Sequence, residues 1–206
     1  VVKLAGQVQA QAIFYSEEVT SEERNVEKAL EIEAFSKGIV TESFWQSTLY
    51  HIDDLSFPIG KAPEVFTQFR KEVEKLSKIR ESNKAPLKIN FPKADIPKLG
   101  ELPKLKDYGL EEPKPDSNLW LDVKGGEESA YGRLRSYFWE KDLLKSYKET
   151  RNGLIGMEYS SKFSPWLALG CISPRTIYKE VKRYENQRTK NESTYWLIFE
   201  LIWRDY

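Results

Sequence analysis

The sequence predicts a partial α/β domain built on a parallel sheet, followed by a partial all-α domain. Three observations predict it. Strand and helix signals alternate over residues 1–78, six of the ten prolines fall between Pro86 and Pro115, and apolar residues recur at helical spacing from Gly126 onward. The expected divisions are therefore 1–78, a proline-rich connector over 79–125, and a helical part over 126–206.

Ala10-Gln11-Ala12-Ile13-Phe14-Tyr15 reads as a short strand. Ser21-Glu22-Glu23 reads as a helix start, with Ser21 as N-cap and carboxylates in the first turn. Val26, Ala29, Leu30 and Ile32 continue that helix and Gly38 ends it. Residues 39–45 are strand-like again, and Val65, Phe66, Phe69, Val73 and Leu76 mark a helix over 63–78. Proline removes a backbone donor and fixes φ, so 79–125 disfavours helix and central strand. Its stretch 92–105 interleaves Pro with Ile and Leu, which predicts a connector that packs on a surface rather than a free linker. One helix is expected from Glu127 to Asn152, carrying Leu134, Tyr137, Phe138, Leu143, Leu144 and Tyr147. Ser173-Pro174 opens another that runs to Gln187, and Ser193 or Thr194 caps the last. The sequence opens without Met, and its last helix reaches Tyr206 with no stop signal. It reads as an internal piece of a longer chain.

Composition excludes several functions. The 32 basic and 32 acidic residues cancel, so nucleic-acid binding would have to rest on a local patch. Cys171 is the only cysteine and His51 the only histidine, which argues against an internal disulfide, a metal site and a Ser-His-Asp hydrolase. A lone cysteine fits a reducing, intracellular compartment. No stretch approaches the ~20 apolar residues of a membrane helix. Five of the six tryptophans lie after residue 119, suiting either an aromatic core or a pocket for a flat ring system.

Three clusters could carry chemistry. In Tyr159-Ser160-Ser161-Lys162-Phe163-Ser164-Pro165-Trp166, hydroxyls and one ammonium precede a Pro that can open a helix, with Ser164 as its cap. That set suits a phosphate cradle, and an ordinary capped loop is the plainer alternative. On the last helix, Trp196, Glu200, Trp203 and Arg204 recur at spacings of three and four, with Glu200 and Arg204 one turn apart. A surface ion pair is the plain reading; recognition of a polar heteroaromatic ligand is the functional one. Lys141, Lys145, Lys148 and Arg151 form a basic stripe on one expected helical face, either solvated or touching a phosphate backbone.

Taken in order, these residues resemble the DASH-type cryptochromes of the cryptochrome/photolyase family. The resemblance is carried by Gly125-Gly126-Glu127, Tyr137-Phe138-Trp139, the run from Lys145 to Gly153, the run from Tyr159 to Arg175, and Glu200-Leu201-Ile202-Trp203-Arg204-Asp205-Tyr206. Upstream, Trp45-Gln46-Ser47-Thr48-Leu49-Tyr50-His51 and Asp53-Asp54-Leu55 resemble the antenna domain of the same group.

The resemblance implies an α/β antenna domain, a connector, and a helical domain that holds FAD. It implies that Tyr147, Ser160, Ser161, Lys162, Phe163, Ser164 and Arg204 contact FAD. It also implies that Glu200 stabilises the radical anion of a pyrimidine dimer, that Trp203 stacks on the flipped dimer, and that Arg151 and Lys148 touch DNA phosphates. Glu22 is the candidate for an antenna folate, 5,10-methenyltetrahydrofolate, although the Asn-Glu pair of bacterial photolyases is replaced by Thr20-Ser21-Glu22-Glu23. The implied activity is light-driven splitting of cyclobutane pyrimidine dimers, preferentially in single-stranded DNA. The rival is a blue-light photoreceptor that binds DNA and repairs little or nothing. A monomer without metal or membrane anchor is implied, cytoplasmic in a bacterium and organellar or nuclear in a eukaryote. The electron-relay tryptophans would lie beyond residue 206.

Overall fold

The computed structural model describes residues 1–83, 86–89, 101–112, 123–154 and 156–206. Two strands, β1 (Ala12–Ser16) and β2 (Val40–Phe44), pair in parallel, with Ala12 opposite Val40 and Ser16 opposite Phe44. Parallel neighbours need a crossover, supplied here by α2 (Ser21–Ser36). Its first turn carries Glu22 and Glu23 at the positive end of the helix dipole, and Gly38 leaves it at φ +70, a conformation glycine adopts without cost. The cap is Thr20, not Ser21: Thr20 has extended backbone and Ser21 is already the first helical residue. Val2 and Ala5 of α1 (Val2–Gln7) join Ile13, Ala34 and Ile39 in a small core. Glu27 is buried there because Arg24 and the Glu18 amide both donate to it, at 2.9 and 2.7 Å.

The larger core is helical. The helices are α3 (Phe66–Leu76), α4 (Glu127–Arg135), α5 (Tyr147–Thr150), α6 (Ser164–Ala168), α7 (Pro174–Gln187) and α8 (Glu192–Asp205). On α7, Ile177, Val181 and Tyr184 recur every three or four residues and are fully buried. Ser173 caps it as expected, accepting from the Arg175 amide, with Pro174 at the first position. On α8, Leu197, Ile198, Leu201 and Ile202 face the same core. Its cap is Asn191 rather than Ser193 or Thr194. The Asn191 side chain accepts from the Thr194 amide, and the Asn191 amide donates in return to the Thr194 hydroxyl oxygen.

The single helix expected from Glu127 to Asn152 is broken. After α4, residues Ser136–Glu140 form a π turn, closed by the Lys141 amide on the Ser136 carbonyl. The consecutive Tyr137 and Phe138 are both fully buried there, with the ring of Trp139 packed against that of Tyr184. The wider turn shifts the register of the face that follows α4 as these side chains enter the core. The chain then reverses at Asp142, whose φ is +55. Arg188 donates to the Phe138 and Trp139 carbonyls left over at the break, at 3.2 and 2.6 Å.

Asp142 ties this break together by accepting from Lys145, Tyr184 and Arg188, each at 2.7 Å. Lys145 first, then Tyr184 and Arg188, hold its carboxyl at about 2 against the usual 3.8. A depressed acid stabilises the fold above its unfolded value and loses that contribution as pH falls through the folded one. Stability should therefore fall between about pH 4 and 2, by ~1 kcal/mol from this partly exposed group. Acid titration of the unfolding midpoint checks this. In Asp142→Asn, which keeps a side chain tolerant of positive φ, that portion of the slope should vanish.

The compact units do not follow the expected divisions. One comprises 1–44 with 84–119, the other 45–83 with 120–206. Residues 45–78, expected in the α/β part, fold instead with the helices because α3 buries Phe66, Phe69 and Val73 in the helical core. Trp203 of α8 stacks on Phe66 at 3.6 Å between centroids, and Tyr206 lies against Phe66 and Phe69. Most of the proline-rich run 92–105 lies outside the described residues. Where the connector is described, Leu87, Ile89 and Leu102 are exposed, whereas Ile79 and Val123 at its two ends pack against the helical core.

Candidate functional site

The run Ser160 to Ser164 leads into α6 and changes backbone hand within it. Lys162 has φ +58, while Phe163 follows at φ −76 and ψ −13. A non-glycine residue in the left-handed region is costly and persists only where its surroundings enforce it. The residues just before Lys162 are held by Arg133 of α4. It donates to the carbonyls of Ser161 at 2.9 Å, Ser160 at 2.8 Å and Met157. Its guanidinium also lies 4.9 Å from the Tyr137 ring centre, and burial makes it a weaker base than usual.

Tyr147, at the start of α5, is buried with its hydroxyl within reach of the Ser161 and Ser160 side chains. Burial, then the nearby Glu200 carboxylate, raise its pKa. The Tyr147 hydroxyl thus meets the two consecutive serine hydroxyls from farther along the chain. Ser161 is buried and Ser160 half-buried. Phe163 packs its ring on Phe138 in the core, so it can offer a ligand only its backbone. Ser164 is exposed and begins α6 without capping it; Phe163 holds the cap position.

Next to this cluster, Glu200 pairs with Arg151 at 2.9 Å, not with Arg204. The one-turn spacing on α8 allowed the Arg204 pairing. Arg204 instead donates to the carbonyls of Ser47 and Leu167, which places it beside α6. Trp196 lies under two cations, Lys148 Nζ at 4.8 Å and Arg151 at 5.5 Å from its ring centre, with Phe199 stacked at 4.7 Å.

The basic stripe is not one helical face, because the helix that would carry it breaks at Asp142. Each member also has a carboxylate: Lys141 with Glu158, Lys145 with Asp142, Lys148 with Glu192, and Arg151 with Glu200. Trp203 is half-exposed but has one face on Phe66. Glu22 stands exposed in the first turn of α2, in the α/β unit. The structure therefore brings together Tyr147, Ser160, Ser161, Arg151 and Glu200, and leaves Trp203 outside that cluster.

Sequence reasoning missed Arg133 and the glycines before the serine run. A Cβ on Gly153 would lie 2.5 Å from Tyr159 Cγ, and Gly156 has φ +106 over the same ring. The signal was available in the Gly-x-x-Gly-x-x-Tyr spacing of 153–159.

Buried hydroxyls, successive backbone N–H groups around a change of hand and a nearby ammonium suit a phosphorylated ligand. Among the described residues, no group of acidic, histidine or cysteine side chains could hold a metal, and no helix is long and apolar enough to cross a membrane.

Residues 1–89 match the DNA photolyase family. The chain is 52% identical to the cryptochrome DASH of Gloeobacter violaceus over 203 residues, covering 98% of this chain and 40% of that protein. It is 48% identical to that of Danio rerio, covering 94% and 37%, and 47% identical to the chloroplastic/mitochondrial cryptochrome DASH of Arabidopsis thaliana, covering 98% and 36%. The chain thus spans about two fifths of the length of these relatives. Among solved structures, a Synechocystis cryptochrome superposes with TM-score 0.93 at 47% identity, covering 100% of this chain and 42% of that one. A class III photolyase from Agrobacterium tumefaciens superposes with TM-score 0.78 at 23% identity, covering 98% and 41%, which is a likeness of fold.

Proposed function

Since the chain belongs to the cryptochrome/photolyase family, with the sequence character of the cryptochrome DASH group, we propose that the full-length protein holds FAD and splits cyclobutane pyrimidine dimers under blue light, preferentially in single-stranded DNA. The observation that carries this is the meeting of Tyr147 with Ser160 and Ser161 beside the Arg151–Glu200 pair. Those hydroxyls, Lys162 and the backbone of Phe163 and Ser164 would bind the diphosphate and ribose, and Arg204 would close the side toward α6. The chemistry of this donor set fits the group: hydroxyls and N–H groups satisfy phosphate oxygens, and an ammonium offsets their charge. When bound and reduced, FAD supplies the photoexcited electron. Glu200 would stabilise the charge that develops on the pyrimidine pair, Trp203 would stack on the extruded bases, and Arg151 with Lys148 would meet DNA phosphates. An antenna folate near Glu22 belongs to the same proposal.

Two observations favour the photoreceptor reading: Arg151 is engaged by Glu200, and one face of Trp203 is covered by Phe66. Both contacts already engage groups that repair would turn toward DNA. The flavin spectrum of the purified full-length protein tests the cofactor. Changing Ser161, Lys162 and Arg204 together to Ala, Met and Met should lower bound flavin at least tenfold, from loss of charge-assisted hydrogen bonds at ~1.5–3 kcal/mol each. An unchanged flavin content would sink the assignment. Dimer splitting on single-stranded DNA then separates repair from signalling, since repair requires Glu200→Ala and Trp203→Ala to lose activity while still holding flavin.

A further inference from the structure

We propose that Arg133 is the positioning residue of the phosphate-binding loop: by holding the carbonyls of Met157, Ser160 and Ser161, it turns the Ser161 and Lys162 amides toward the ligand. This deepens the flavin reading above and rests on it for the identity of the ligand.

The geometry starts from the peptide plane. In a trans peptide the N–H points opposite to the C=O across the same plane, and the described chain has no cis peptide. The Ser160 carbonyl shares its plane with the Ser161 amide, and the Ser161 carbonyl with the Lys162 amide. Fixing both carbonyls on one guanidinium at 2.8 and 2.9 Å therefore aims both N–H groups away from α4. The reversal from φ +58 at Lys162 to φ −76 at Phe163 then gathers successive N–H groups into a concavity suited to an anion.

The hydrogen bonds of the guanidinium are spent on this task, with its face over the Tyr137 ring. Among the described residues no carboxylate forms an ion pair with Arg133; its hydrogen bonds all go to carbonyls of 157–161. A half-buried charge satisfied only by carbonyls is stable only while the loop keeps them turned inward. The loop and the guanidinium thus specify one another. Lysine offers a compact point charge that cannot span three carbonyls in a planar fork.

The test uses the full-length protein and Arg133→Met, Arg133→Gln and Arg133→Lys. FAD affinity is measured by flavin fluorescence, and amide exchange of 157–162 is followed without FAD. Arg133→Met and Arg133→Gln should weaken FAD by about tenfold or more and raise exchange locally at 157–162, while Arg133→Lys should recover part of both. A merely structural role would lower the unfolding midpoint and leave affinity and local exchange of the folded variants unchanged, which would overturn the proposal. If Arg133→Met does not fold, the Gln and Lys variants carry the same comparison. If the unaltered protein takes up no FAD, the flavin reading falls by itself; the exchange pattern still decides whether Arg133 orders the loop, and an unchanged pattern rejects it.

Discussion

Asp205→Ala should lower the unfolding free energy by about 2–4 kcal/mol, because it removes the acceptor of two backbone amides in a buried turn. Asp205, at the end of α8, accepts from the Leu49 amide at 2.9 Å and the Tyr50 amide at 2.8 Å. Leu49 and Tyr50 are themselves core residues, exposed by 0 and 6%. Arg204 and Arg175 fasten the same loop through the carbonyls of Ser47 and Trp45. Burial raises the Asp205 carboxyl to about 6, against the pull of the two amides and the two arginines. For an acid raised in the folded state, the contribution is complete below the unfolded value near 3.8 and is lost as pH rises through about 6. The fold should therefore be more stable near pH 5 than near pH 7 by this group's share, in a window separate from that of Asp142. Urea midpoints at both pH values check it. Asp205→Asn should flatten the difference while costing less than alanine, since it keeps one acceptor. Equal midpoints for Asp205→Ala and the unaltered protein would show that the loop is held by its other contacts.

The second large effect is expected at Gly153. Gly153→Ala places a Cβ 2.5–2.8 Å from Cγ, Cδ1 and Cβ of Tyr159, atoms too close to the backbone to swing away. The chain from 153 to 159 must shift, at ~1–3 kcal/mol. Because Tyr159 adjoins Ser160, the shift passes directly into the hydroxyl cluster. Flavin affinity should fall by about tenfold or more, since small displacements of binding groups are costly. Gly132→Ala is the control: it lies inside α4 with open space around the new Cβ, and it should be neutral or stabilising by ~0.5–1 kcal/mol. Calorimetry and flavin titration of the two variants decide the point. An unperturbed Gly153→Ala would mean that the loop does not rest on Tyr159.

The strand–helix–strand unit was legible because its signals are local. Branched and aromatic runs at 12–16 and 40–44, acidic residues opening α2 and Gly38 closing it act through the backbone of their own neighbours. The same holds for Ser173-Pro174, where cap and first turn are adjacent in the chain. The serine run and Tyr147 were named through resemblance, but their meeting was not legible, because Ser160 lies 13 positions beyond Tyr147 in the chain, past the end of α5.

Other features depended on partners far along the chain. Periodicity alone read 127–152 as one helix; the break at Asp142 needed Tyr184 and Arg188, more than 40 residues away, to accept its cost. Spacing on α8 offered Arg204 to Glu200, yet the nearest cation in space is Arg151. The domain division moved because α3 has an amphipathic face whose sequence cannot say which core it will enter. By itself, then, the sequence carried the resemblance to the family, the order of the main strands and helices and the residue types of the candidate site. The tertiary structure decided which charges pair, which aromatics are core, and that Arg133 stands behind the serine loop. Capping and periodicity are set by contacts within a turn or two, whereas ion pairs and buried polar groups are satisfied by whichever partner the packing of distant helices brings within reach.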